Sequence, residues 1–201
     1  MKEFTVIEDH YQFECTRCGN CCTGDQKVFL NLYDLYKLAR YHQFDNTQML
    51  FDRGIVLLVR DQNMAFLPRL RFRLKPFAFC PYLMHEELGK KNIQTYCQLH
   101  AHFKPLVCSM APVGRIIDLE KEEDQYVFVK PAPDCPGIKS KKENRLTDTL
   151  HAYQQELKFQ SAFFRLLQKA REQDFKRESY LDLIYSISTA LPFDEVFKSL
   201  K

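Results

Sequence analysis

"ECTRCGNCC", residues 14–22, places four cysteines within eight positions and ends on an adjacent pair. Three chemistries use thiols at such density: disulfide bridges, a redox-active dithiol, and thiolate ligation of a metal. Which one applies decides whether the chain is a stapled scaffold, an exchange catalyst or a metal-supported fold. The rest of the sequence adds Cys80, Cys97, Cys108 and Cys135, so all eight cysteines lie in the first two-thirds and none follows Lys139.

Disulfides fit poorly. No apolar leader follows Met1-Lys2-Glu3, so no signal peptide is expected, and disulfide frameworks belong to small secreted domains. Cys15, Cys18, Cys21 and Cys22 are also too close for mutual bridges to gain much loop-closure stabilisation. A redox dithiol fits poorly too. Such a site needs C-x-x-C at a helix N-terminus, where one thiol becomes acidic, and no helical pattern starts at "CTRC". Metal ligation fits best. C-x-x-C lets two thiolates curl around one centre, with Gly19 easing the turn. Cys15, Cys18 and Cys21 repeat that step twice, the spacing with which a ferredoxin loop holds one iron–sulfur cube. Neighbouring side chains on extended backbone point to opposite faces, so Cys21 and Cys22 are expected to serve different metals or separate corners of a cluster. Eight thiols then divide into two sites of four. Proline directly after Cys80 and Cys135 fixes a tight turn at each.

Composition narrows the setting. The chain has 201 residues, 45% hydrophobic, with a net charge of +3. A real core is affordable, and the weak charge does not call for nucleic acid or an acidic membrane. The six glycines form no Rossmann or Walker pattern, which speaks against a standard nucleotide site. No apolar stretch reaches membrane-spanning length. The expected location is the cytoplasm.

Residues 1–13 read as an extended lead-in and "KVFL" as a short strand. "NLYDLYKLARYHQF" reads as a helix, with Asn31 as N-cap, Asp34 completing a capping box, and Leu32, Leu35, Tyr36, Leu38 and Ala39 as its apolar stripe. "NTQMLFDRG" suits a second short helix, capped by Asn46 or Thr47 and ended by Gly54. Residues 55–60 predict a buried strand paired with "AFLPRLRFRL", where Pro68 marks an edge. A short helix or turn is expected before Pro105. "QYVFVKP" predicts a third strand, followed by a turn holding Cys135. "KSKKEN" reads as a polar linker. From Thr147, as cap, a long helix is expected to about Phe175, carried by Leu150, Tyr153, Leu157, Phe163, Phe164, Leu167 and Ala170. "RESYLDLIYSIST" and "PFDEVFKSL" predict two further helices. The fold class is therefore α+β: a small, irregular, metal-stapled cysteine-rich layer with short strands, residues 1–138, followed by a helical C-terminal region, residues 139–201, packed on it as one compact domain.

"CTRCGNCC", "FCPYL" and "CQLHAHFKPLVCSMAP" together resemble the YkgJ-type CxxCxxCC family, described as zinc- or iron-chelating proteins. The flagellin lysine-N-methylases carry a similar cysteine arrangement. The resemblance covers residues 15–112 and extends through "APDCPG" to about Gly137, but leaves out the helical C-terminus. Two features depart from the family pattern. Lys104 stands where the family often has arginine, and the step from Cys97 to Pro105 is one residue longer. The resemblance implies metal ligation by Cys15, Cys18, Cys21, Cys22, Cys80, Cys97, Cys108 and Cys135.

An iron–sulfur cluster is favoured because the later cysteines are scattered singly and each iron of a cube needs one protein thiolate. Zinc is the alternative. His100 and His102 lie beside Cys97 as possible ligands or hydrogen-bond donors, although an ordinary surface role is preferred. Arg69, Arg71, Arg73 and Lys75 alternate with apolar residues, and a solvated strand edge is preferred over an anion-binding face. Three functions remain open. One is iron–sulfur redox or protein-modification chemistry, an oxidoreductase or a protein lysine methylase-like enzyme. Another is a zinc-stapled adaptor that engages a protein partner. The last is a metal-handling protein. No acid–base pair or nucleophile constellation marks a catalytic residue, and neither nucleic acid nor a membrane is expected as a partner.

Overall fold

The computed structural model describes residues 4–24, 26–61, 65–75, 77–87, 93–100, 102–121 and 123–198. It is an α+β protein, with seven α-helices and several small antiparallel sheets among the described residues. Its chain forms two compact units that interleave in sequence: residues 1–26, 72–100 and 107–154 make the first, and residues 27–71, 101–106 and 155–201 the second. The expected boundary at 138/139 falls inside the first unit.

The first unit is built from short ladders. β1 (Thr5–Val6), β7 (Val113–Asp118) and β8 (Glu123–Phe128) form a three-stranded sheet in the order β1-β8-β7. β2 (His10–Gln12) pairs with β9 (Glu143–Arg145), and β5 (Leu83–Glu87) with β6 (Ile93–Cys97). β7, the β5–β6 hairpin and β9 carry weak strand signals in the sequence. The expected linker "KSKKEN" in fact delivers Glu143 and Asn144 to the ladder opposite Gln12 and Tyr11. β9 runs straight into α4 (Leu146–Ala152), which leaves no capping residue. The Leu146 N–H, unpaired within the helix, donates instead to the Asp9 carbonyl at 2.7 Å.

Helices and one hairpin make up the second unit. α1 (Leu32–Tyr41) starts with the expected capping box: the Asn31 side chain accepts from the Asp34 N–H, and the Asp34 carboxylate accepts from the Asn31 N–H. Its predicted stripe is buried, with Leu35, Leu38 and Ala39 fully enclosed. α2 (Gln48–Asp52) follows, and the Asn46 side chain accepts its Gln48 N–H. β3 (Val56–Arg60) pairs with β4 (Phe66–Leu70) in full register, Val56 opposite Leu70. Only Val56 of β3 is buried, so the expectation of a buried strand holds at its first residue alone. "KVFL" contributes an isolated bridge, Phe29 to Arg69, rather than a strand.

The predicted long helix is two. α4 ends at Ala152 and α5 runs Gln154–Glu172, with Leu157, Phe159, Phe163, Leu167 and Ala170 buried along one face. The apolar period continues across the break, but α4 belongs to the first unit and α5, beyond its first residue, to the second. α3 (Leu106–Ser109) follows Pro105 rather than preceding it, the position where a fixed φ and a missing N–H cost a helix nothing. α6 (Arg177–Leu183) and α7 (Phe193–Lys198) close the chain near their predicted places. Among the described residues no helix is long and apolar enough to cross a membrane.

Candidate metal centre

All eight cysteines belong to the first unit, and all are free thiols. Three backbone devices bring them together from distant parts of the chain.

The first is the turn of the opening motif. Gly19 adopts a left-handed φ of 76° and starts a 3-10 turn over Asn20–Cys22, closed by the Cys22 N–H on the Gly19 carbonyl at 2.8 Å. A Cβ at Gly19 would also lie 2.9 Å from Thr95 Oγ1, so β6 seats against a residue without a side chain. Thr95 Oγ1 in turn donates to the Arg17 carbonyl. The turn changes the expected relation of Cys21 and Cys22. Opposed faces follow from extended backbone, and this backbone is helical; the two sulfurs come within 3.9 Å.

The second device attaches Cys80 and Cys97. The Cys80 N–H donates to the Cys22 carbonyl at 2.7 Å, the Gly24 N–H to the Ala78 carbonyl at 2.8 Å, and Thr23 bridges Phe79. Leu83 N–H then returns to the Cys80 carbonyl at 3.1 Å. Leu83 is the register partner of Cys97, so the base of the β5–β6 hairpin carries Cys97 toward Cys80.

The third device seats Cys135. A Cβ at Gly137 would lie 2.2 Å from the Glu14 carbonyl oxygen, an approach that glycine alone permits. Asn20 Nδ2 donates to the Asp134 carbonyl at 3.0 Å and ties the opening turn to this loop. Cys135 is buried with Phe13 and Ala132, and Cys18 packs against that small cluster.

The thiols thus gather in two neighbouring sets. Cys22 is within hydrogen-bonding reach of Cys21 and Cys80 and within electrostatic range of Cys97. Cys135 stands in the same relation to Cys18, with Cys21 in range. Hydrogen bonding from Cys21 favours the Cys22 thiolate, but the Cys80 hydrogen bond, burial and the Cys80 and Cys97 sulfurs outweigh it and push Cys22 up to about 12. Burial, opposed by the Gly137 N–H and reinforced by Cys18 and Cys21, raises Cys135 as well. Cys22 and Cys135 are therefore held as thiols, and a metal entering beside them displaces their protons.

Cys15 is exposed at the mouth of the motif and makes no hydrogen bond to another thiol. Cys108 is half-buried on α3. His100 and His102 are exposed, in keeping with the surface role preferred for them. Arg71, Arg73 and Lys75 are exposed too, and Arg69 is half-buried. Among the described residues no three His, Cys, Asp or Glu side chains are arranged as a finished metal cage. The donor chemistry nevertheless suits a thiophilic metal. The 3.9 Å between Cys21 and Cys22 is close to the edge of a tetrahedral thiolate site, about 3.8 Å for metal–sulfur bonds of about 2.3 Å.

Sequence reasoning missed a buried charge cluster in the second unit. Lys37 Nζ lies 2.6 Å from Glu156, 3.3 Å from Asp34, and 2.7 Å from the Lys104 carbonyl, which accepts from it. Burial disfavours the ammonium, but the two carboxylates outweigh it and hold Lys37 above its ordinary range. Asp34 also accepts from the Leu106 N–H at 2.8 Å. Only the i, i+3 spacing of Asp34 and Lys37 hinted at this pair.

Compared with protein-family models, curated proteins and solved structures, the chain matches none of them.

Proposed function

We propose that the first unit is a metal–thiolate module whose ligands are drawn from Cys18, Cys21, Cys22, Cys80, Cys97 and Cys135, with Cys15 and Cys108 available to complete it. The observation that carries this reading is the convergence of free thiols from four separate chain segments. Free thiols packed together without bridging add little to a fold by themselves, whereas a bound cation holds them together and contributes folding free energy. An iron–sulfur cluster is the leading occupant, because the later ligands arrive singly on unrelated elements. When bound, it supplies one-electron redox chemistry. The protein's share is to hold the sulfurs with backbone hydrogen bonds and to leave Cys15 and Cys21 at the solvent side, where a partner or substrate protein can reach.

A second reading, structural zinc, rests on one distance. The 3.9 Å sulfur pair suits two thiolates on one tetrahedral ion. It also suits a two-iron cluster, whose four cysteines share two irons.

Anaerobic purification with metal, sulfide and visible-absorption analysis tests both readings. Iron with acid-labile sulfide and a visible band bleached by dithionite supports the cluster. A colourless protein with stoichiometric zinc supports the structural ion. A protein that purifies without metal and binds none on reconstitution, with every thiol open to a thiol reagent, rejects both.

A further inference from the structure

The second unit contains a cavity of about 420 Å³, lined by Arg60, Phe66, Arg171, Asp174, Phe175, Lys176, Arg177 and Tyr180. That volume falls within the range of small-ligand pockets. Its wall is aromatic. The Tyr180 ring meets Phe66 edge-on at 5.3 Å and Phe175 edge-on at 6.1 Å between centroids. Its rim is cationic. Asp174 is the one carboxylate in the lining, and it is already taken by Lys176 at 2.5 Å. Arg60 lies over the Phe66 ring at 5.7 Å. Among the described residues Arg60, Arg171 and Arg177 make no ion pair. Guanidinium forks without carboxylate partners beside aromatic surface are a recognised means of binding an aromatic anion such as a phosphate ester.

Tyr180 backs the two phenylalanine rings. Tyr180 is 1% exposed, and its hydroxyl has no hydrogen-bond partner. The nearby Phe66 carbonyl is occupied by the Tyr185 hydroxyl at 2.6 Å.

We infer that this cavity binds a small aromatic phosphate ester. The ring lies against Phe66 and Phe175, and the phosphate meets Arg171 and Arg177. This site is independent of the cysteine motif and needs no metal.

Calorimetric titration of the full chain with phenyl phosphate, inorganic phosphate and phenol tests it. Phenyl phosphate is expected to bind saturably, and about tenfold more tightly than inorganic phosphate or phenol. Arg171→Gln and Arg177→Gln are each expected to weaken it about tenfold, the worth of one charge-assisted contact. The inference is overturned if phenyl phosphate does not saturate, if inorganic phosphate binds as tightly, or if the arginine variants bind as the native chain does.

Discussion

The two units solve the stability problem differently. Of the largest fully buried side chains, Tyr180, Tyr185, Phe163, Leu32, Leu35, Leu38, Leu50, Leu106, Ile184, Val56 and Thr47 lie in the second unit, and only Leu99 in the first. The second unit is held by apolar packing, including a cluster in which Phe159 meets Phe193 at 4.7 Å and Phe197 at 5.7 Å. Among the described residues the first unit has strands of two to six residues, fewer large side chains that are fully buried, and all the cysteines. Small units that cannot bury enough apolar surface rely on cross-links or metals. If the proposed metal is bound, the contrast says where it would matter: its removal should be felt almost entirely in the first unit.

That gives the largest expected effect. A strong chelator should release metal and withdraw folding free energy on the order of 10 kcal/mol from the first unit. Hydrogen exchange on the full chain should show the β5–β6 hairpin and residues 132–139 losing protection, while α1 and α5 keep theirs. Equal loss in both units breaks the comparison. No loss in either makes the metal peripheral.

The next effect is in the second unit. Lys37→Met leaves Asp34 and Glu156 without their buried counter-charge, and should cost about 3–5 kcal/mol in denaturant unfolding. Asp34 is fully buried, and desolvation, only partly offset by Lys37 and the Asn31 and Leu106 N–H groups, already raises its pKa. Metal per chain should stay at the native value. A Lys37→Met protein that also loses metal shows that the two solutions are not separable.

Gly137→Ala carries the comparison back to the first unit. The added Cβ meets backbone, which cannot swing aside as a side chain can. Overpacking of this kind costs about 1–3 kcal/mol, and here it displaces the Cys135 loop. The expected result is reduced metal content with the α1 and α5 amides still protected. Native metal content in Gly137→Ala removes Cys135 from the ligand set.

The sequence was most legible where one local rule acted alone. The capping box at Asn31 and Asp34, the stripe of α1 and the face of α5 from Leu157 onward follow directly from residue type and period. The convergence of Cys22 with Cys80, and of Cys18 with Cys135, could be anticipated only as a consequence of metal chemistry. The hydrogen bonds that achieve it join residues far apart in the chain and leave no periodic trace. β9 was read as a linker because Lys141, Lys142, Glu143 and Asn144 have low strand propensity, and cross-strand pairing with β2 overrode it. The opposed placement of Cys21 and Cys22 failed for a definite reason: alternation belongs to extended chain, and Gly19 starts a helical turn. The break at Tyr153 was invisible because apolar period does not report which unit a turn of helix belongs to.

The smallest expected effect separates the units by pH. His42, just past α1, stacks on Phe44 at 5.3 Å and meets Tyr41 edge-on at 5.1 Å. Burial lowers its pKa from the ordinary 6.5. Above that value the imidazole is neutral in both the folded and the unfolded chain. As pH falls below 6.5 the unfolded chain takes up the proton first, so stability present at higher pH is lost progressively until the folded value is passed. On the proposed metal–thiolate reading, thiolate ligands are protonated as pH falls too, so metal release from the first unit would act in the same direction. The two are distinguished by comparing the native chain with His42→Phe between about pH 8 and pH 5. The variant should show a shallower decline in unfolding midpoint, while its metal content falls with pH as in the native chain. Identical declines assign the whole pH dependence to groups other than His42. A change in the metal titration itself means the ring's protonation reaches the thiols, and the division drawn between a packed unit and a stapled one would have to be abandoned.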